Sequence, residues 1–170
     1  LLIAISATNA ITGTGIVTLD TPATDIVADD TVASYVLTGA GANTITLGAT
    51  TQGVTTAANA STQTINTGAL TSYTGTIVGN ATDTSTVLSI TTSGTDVSGA
   101  TLNIGATTGV DVVALGTNAA TLTAEQHALL IAISATNAIT GTGIVTISNA
   151  GAVVADDTVA GYNLAAGTTF

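Results

Sequence analysis

The chain contains no lysine, arginine, cysteine, methionine or tryptophan, one proline and one histidine. Each absence removes a class of function. Without a side-chain cation nothing neutralises phosphate charge, so nucleic-acid binding is not expected. Ten acids leave a formal charge of −10, which an anionic membrane surface would repel. No stretch approaches the ~20 consecutive apolar residues that cross a bilayer, so membrane insertion is not expected either. Without cysteine there are neither disulfides nor thiolate metal sites, and cohesion must come from backbone pairing and apolar packing. The single histidine, His127, stands two residues from Glu125. One His with one acid falls short of the three or four ligands of a zinc site. A Ser-His-Asp relay through His127 can be drawn only because Ser and Asp are plentiful, and no basic residue is present to grip acidic sugars. The chain therefore reads as no enzyme, with no resident cofactor.

What is present argues for a folded, β-rich protein. Ile, Leu and Val recur throughout and 45% of residues are hydrophobic, whereas disorder goes with low hydrophobicity and high charge. Threonine, a β-former, is the commonest residue. A chain without Lys or Arg offers trypsin-like proteases no cleavage site, and one without Met, Cys or Trp resists oxidation. Both properties suit an extracellular location.

The chain also repeats itself. Leu1 to Leu19 reads LLIAISATNAITGTGIVTL, and Leu129 to Ile147 reads LLIAISATNAITGTGIVTI, an offset of 128 with one conservative difference. The match resumes between Val27 to Ala33 and Val154 to Ala160 at an offset of 127, so one residue has been lost between the copies. Residues 1–128 thus form one unit, with an arbitrary boundary, and residues 129–170 begin the next. Units of a tandem repeat bury their faces against neighbours, so self-association or continuation with identical repeats is the partner expected. The expectation is a segment of something longer, or one subunit of a continuous assembly.

β-Branched clusters recur about every nine to twelve residues, at 3–5, 16–18, 26–27, 35–37, 44–47, 64–65, 76–78, 86–91, 102–104, 110–115 and 121–123, separated by Gly, Asn, Asp or Ser. This is the spacing of short strands and turns. Alternation in Thr44-Ile45-Thr46-Leu47 and in Thr86 to Thr91 turns one face inward. The fold class expected is all-β: a β-solenoid (β-helix or β-roll-like) of repeats of about 128 residues, with a β-sandwich repeat as the alternative. The solenoid is preferred because Tyr35, Tyr73, Tyr162 and Phe170 are the only aromatic anchors available to a sandwich core. One segment departs from the β pattern. Thr123-Ala124-Glu125-Gln126 has capping-box form and predicts one short helix per repeat, over about residues 124–130, with strand resuming at Ile131.

Asp29-Asp30 and Asp156-Asp157 occupy the same place in both copies. Adjacent carboxylates in a turn could contribute the oxygen ligands calcium prefers; the simpler reading is an Asp-rich turn whose side chains bond nearby N–H groups. Thr38 to Thr46 resembles a worn copy of the calcium-binding nonapeptide of RTX β-rolls, with Gly39, Gly41 and Ile45 matching and Thr38 and Asn43 in place of the first Gly and the acid. Thr-x-Thr pairs such as Thr44/Thr46 and Thr121/Thr123 are similar to the ranks of ice-binding β-solenoids, but their spacing is irregular and threonine on a solvated strand face explains them.

Ile45 to Gly48, Ile65 to Leu70, Gly94 to Thr101 and Leu122 to His127, taken together, resemble the Thr-, Ala- and Gly-rich acidic tandem repeats of very large bacterial surface proteins, the giant adhesins and S-layer-like proteins often related to RTX proteins. The resemblance covers essentially the whole chain. It implies secretion to a bacterial cell surface and a non-enzymatic structural role as fibre, sheath or S-layer-like scaffold, with a calcium-stiffened adhesin stalk as the alternative.

Overall fold

The computed structural model describes residues 13–20, 26–56, 61–79, 85–105, 109–134 and 138–170. They form fourteen strands: β1 (Ile16–Leu19), β2 (Ile26–Val27), β3 (Ser34–Leu37), β4 (Asn43–Thr46), β5 (Gly53–Thr56), β6 (Gln63–Asn66), β7 (Ile77–Val78), β8 (Thr86–Ser89), β9 (Thr95–Asp96), β10 (Val112–Gly116), β11 (Ala120–Leu122), β12 (Ile139–Gly141), β13 (Ile144–Ile147) and β14 (Gly161–Leu164), with one helix, α1 (Ala124–Ile133), between β11 and β12. Every ladder is parallel, and the strands make three sheets, ordered β1-β3-β5-β7, β12-β10-β8-β6-β4-β2 and β14-β13-β11-β9. From β1 to β8 the chain alternates between the first two sheets, returning to each after about twenty residues, as the pairings Asn43↔Gln63 and Ser34↔Gly53 record.

Period-two alternation becomes burial because parallel register stacks like on like. In the six-stranded sheet Ile26, Ile45, Ile65, Leu88, Val113 and Ile139 are successive register partners, and all six are buried. Such a rank fills the interior with aliphatic side chains alone, each stabilising by about 1.5–3 kcal/mol when fully buried. The neighbouring inward rank is polar: Asn43, Gln63 and Thr86 stack in register, and Asn43 Nδ2 donates to Gln63 Oε1 at 2.7 Å. Such a ladder is tolerated inside because its polar groups bond one another and nearby carbonyls, among them Gly41 O and Ser61 O.

The fold class expected from sequence is corrected. The molecule is a mixed α/β fold, fourteen strands in three parallel sheets with one helix, and neither a closed β-solenoid nor a β-sandwich. Wholly parallel ladders rule out the antiparallel sheets of a sandwich. Solenoid closure fails among the described residues because the sheet of β1, β3, β5 and β7 stops at β7 and a separate sheet starts at β9. Only the isolated bridges Ser72↔Asp96 and Thr76↔Thr101 span that break. The strand expected at 102–104 is absent there, and Asn103 sits in a left-handed turn at φ 44°. The cluster expected at 3–5 lies outside the described residues.

The helix was legible, but its extent was not. Thr123 Oγ1 accepts the Gln126 N–H at 3.0 Å and Gln126 Oε1 accepts the Thr123 N–H at 2.9 Å, the reciprocal bonds of a capping box. Residues 131–133 continue the helix rather than resuming a strand, since Ala128, Leu129 and Leu130 propagate it once the cap has nucleated it. Thr123→Ala removes the side-chain half of the box and is expected to destabilise the protein by ~1 kcal/mol, read as a lower urea midpoint at unchanged slope. An unchanged midpoint would contradict the cap's role. The boundary at residue 128 falls inside α1, so it does not coincide with a linker.

Candidate functional site

The Asp pairs singled out by sequence separate in space. Asp29 is 3% exposed while Asp30 is exposed, and in the second copy Asp156 is 2% exposed while Asp157 is exposed. Asp29 Oδ1 accepts the Thr31 N–H at 3.0 Å and the Thr31 hydroxyl at 2.6 Å, and the Asp29 N–H donates to the Tyr35 hydroxyl oxygen at 2.9 Å. The second copy reproduces this turn: Asp156 Oδ1 takes the Thr158 N–H at 2.8 Å and hydroxyl at 2.6 Å, and the Asp156 N–H donates to Tyr162 at 2.8 Å. The Thr31 bonds hold the Asp29 carboxyl below the usual carboxylate range.

One carboxylate oxygen in each copy, Asp29 Oδ2 and Asp156 Oδ2, is buried without a hydrogen-bond partner. Among the described residues no three His, Cys, Asp or Glu side chains gather to hold a metal. One such oxygen is a small part of the six to eight that calcium takes, and the exposed Asp30 and Asp157 are separated from it by burial. The geometry is that of an Asx turn locked by a threonine and clamped by a tyrosine. The tyrosine was missed at sequence level, although a Tyr six residues after the first Asp of each pair was visible in both copies.

His127 joins the second of these turns to α1. It is fully buried, its Nε2 lies 3.1 Å from the Tyr162 hydroxyl, and the two rings meet edge to face at 5.5 Å. The Tyr162 oxygen also accepts the Asp156 N–H, and either neutral tautomer of His127 can bond it through Nε2. His127 Nδ1 is buried without a partner. The partner of His127 is thus a tyrosine and not the serine that a nucleophilic relay would require.

Burial pushes the His127 imidazole below its ordinary pKa, and the Asp156 charge opposes this only in part. A histidine depressed in the folded state contributes stability that is fully present above its unfolded pKa of ~6.5 and is lost as pH falls below it. We expect the melting temperature to drop between pH 7.5 and 5.5, where carboxylates stay ionised, and the drop to shrink in His127→Gln. An equal drop in the variant would contradict this assignment.

Two glutamines brace neighbouring levels, Gln52, which was missed, and Gln126, read from sequence only as a helix cap. Gln52 Nε2 donates to Asp29 O at 2.8 Å and Val32 O at 2.9 Å while its Oε1 accepts the Gly48 N–H at 3.0 Å. Gln126 Nε2 likewise donates to Val97 O at 3.0 Å and Ala100 O at 3.1 Å. Beside Gln126 lies an open apolar groove of about 650 Å³ lined by Val78, Leu102, Asn103, Ile104 and Leu129.

The start of the second copy packs directly on the first. β12 adds to β10, and β13 adds to β11 with Ala120↔Val145, Thr121↔Thr146 and Leu122↔Ile147. Beyond the strands, Ser148 N–H donates to Leu122 O at 2.9 Å, and Asn149 caps the start of α1 by accepting the Ala124 N–H at 2.7 Å and donating to Glu125 at 2.9 Å. The second copy is therefore joined by the same parallel pairing that operates within the unit. Comparison with protein-family models, with curated proteins and with solved structures finds no match.

Proposed function

We propose that this chain is a non-enzymatic structural repeat of an extracellular, bacterial-surface scaffold, a fibre, sheath or S-layer-like layer extended by continuous β-stacking of identical units. One observation carries the reading: the start of the second copy adds to the first through parallel sheet hydrogen bonds. A junction made this way transmits load along the stack, because bending it requires breaking ladder bonds. The composition supports the location, since the chain gives trypsin-like proteases nothing to cut and oxidants no Cys, Met or Trp.

A calcium-stiffened adhesin stalk is the second reading, favoured by the unpartnered Asp29 and Asp156 oxygens. The two readings separate on chelation. A bound ion stabilises by linkage, so a stalk that relies on it melts lower in chelator. The scaffold reading expects the same melting temperature with chelator and with millimolar calcium, measured by circular dichroism. A rise of several degrees with calcium would favour the stalk.

A further inference from the structure

The two copies share sequence but not surroundings. In the second, Gly141 and Gly143 lie under the turn that follows β10: a Cβ on Gly143 would overlap the Asn118 carbonyl oxygen, and one on Gly141 would overlap the backbone of Gly116. Their counterparts Gly13 and Gly15 have nothing within 4 Å of that position among the described residues. The strands differ in the same sense. Val145 and Ile147 of β13 are 0% and 1% exposed, whereas the equivalent Val17 and Leu19 of β1 are only half-buried. Ile16 is 69% exposed against 41% for Ile144.

From these differences we infer that the face made by Gly13, Gly15 and β1 is a docking surface for a second copy of this unit, and that its register is already written in the chain. The occupant is the segment 112–133 of that copy. Its β11 pairs with β1 as Ala120↔Val17, Thr121↔Thr18 and Leu122↔Leu19, and its Asn118 carbonyl lies over Gly15. The argument is continuity with the junction in place at β13, where the same residue types meet the same segment. Only residues without a Cβ admit so close a backbone approach, and Gly15 meets that requirement at a place where no described residue presses on it. The inference rests on the scaffold reading and adds its contact residues.

The test compares the 170-residue chain with the same chain preceded by one further copy of residues 1–128, joined so that residue 128 of the added unit runs into Leu1. Gly15→Val is expected to leave the melting temperature of the 170-residue chain unchanged. In the extended chain it should lower it as much as Gly143→Val does. As a second readout, spin labels on Thr18→Cys and on Thr121→Cys of the added unit should sit on neighbouring strands, ~5 Å apart at the backbone. Silence of Gly15→Val in the extended chain, or labels separated by tens of ångströms, overturns the register. If native material still forms filaments in that case, the scaffold reading survives without it. If the junction couples but native material forms no extended object, the register stands and the scaffold reading falls.

Discussion

Gly143→Val is expected to destabilise the protein by ~3 kcal/mol or more, while Gly15→Val, at the same place in the first copy, changes stability by less than ~0.5 kcal/mol. The two substitutions are chemically identical, and the local sequence Thr-Gly-Thr-Gly-Ile is shared. The difference lies in what stands above each glycine. At Gly143 the obstruction is a backbone carbonyl, that of Asn118, together with the Leu115 Cβ. Asn118 cannot swing aside, since its N–H donates to Leu115 O at 2.9 Å and its side chain donates to Ile90 O at 2.7 Å. Relief would have to come from separating β13 from β11, which opens the buried Val145 and Ile147 to water. At Gly15 the new side chain meets none of the described residues, and the loss of unfolded-chain freedom acts slightly in favour of folding. Chemical denaturation of both variants checks the pair. Equal losses would contradict the packing described at the junction.

Gln52→Leu is expected to cost about 3–5 kcal/mol, an unusual amount for one neutral side chain. The Gln52 amide is 1% exposed and satisfies three backbone groups, the carbonyls of Asp29 and Val32 and the N–H of Gly48. Leucine fills similar volume but strands Val32 O and the Gly48 N–H in a site water does not reach, at about 1–3 kcal/mol for each, and leaves Asp29 O only the Val32 N–H. The Asp29 turn loses its brace at the same time. For a chain of this size the loss corresponds to a fall in melting temperature on the order of 10 °C. Gln52→Glu discriminates further, since it keeps the acceptor for Gly48 but sets an oxygen against two carbonyls. Near-native melting of either variant would show that the amide is not the brace.

Much of the strand pattern was legible because alternation and β-branching report directly on which face is buried. Ten of the clusters read from sequence lie among the described residues, and nine overlap strands; the run at 102–104 does not. Strands β5 and β9 escaped notice because Gly53-Val54-Thr55-Thr56 and Thr95-Asp96 are short and carry few bulky residues. Sheet architecture was less legible. Parallel returns break into two sheets between β7 and β9, where only isolated bridges connect them, and periodicity does not report such a break. The Asp turn was readable as a local motif, since Asp, Thr and Gly mark turns. Its clamp by Tyr35 and Tyr162, and the bracing by Gln52 and Gln126, were not. Gln52 and Gln126 bond residues twenty or more positions away, where only the stacked register brings the groups together.

The proposed joining of units by parallel strand pairing without a metal is open to electron microscopy of purified native material in a calcium chelator. Continuous extended filaments with an axial strand spacing of ~4.8 Å are expected. Separate beads, or collapsed chains that extend only when calcium is restored, would contradict it.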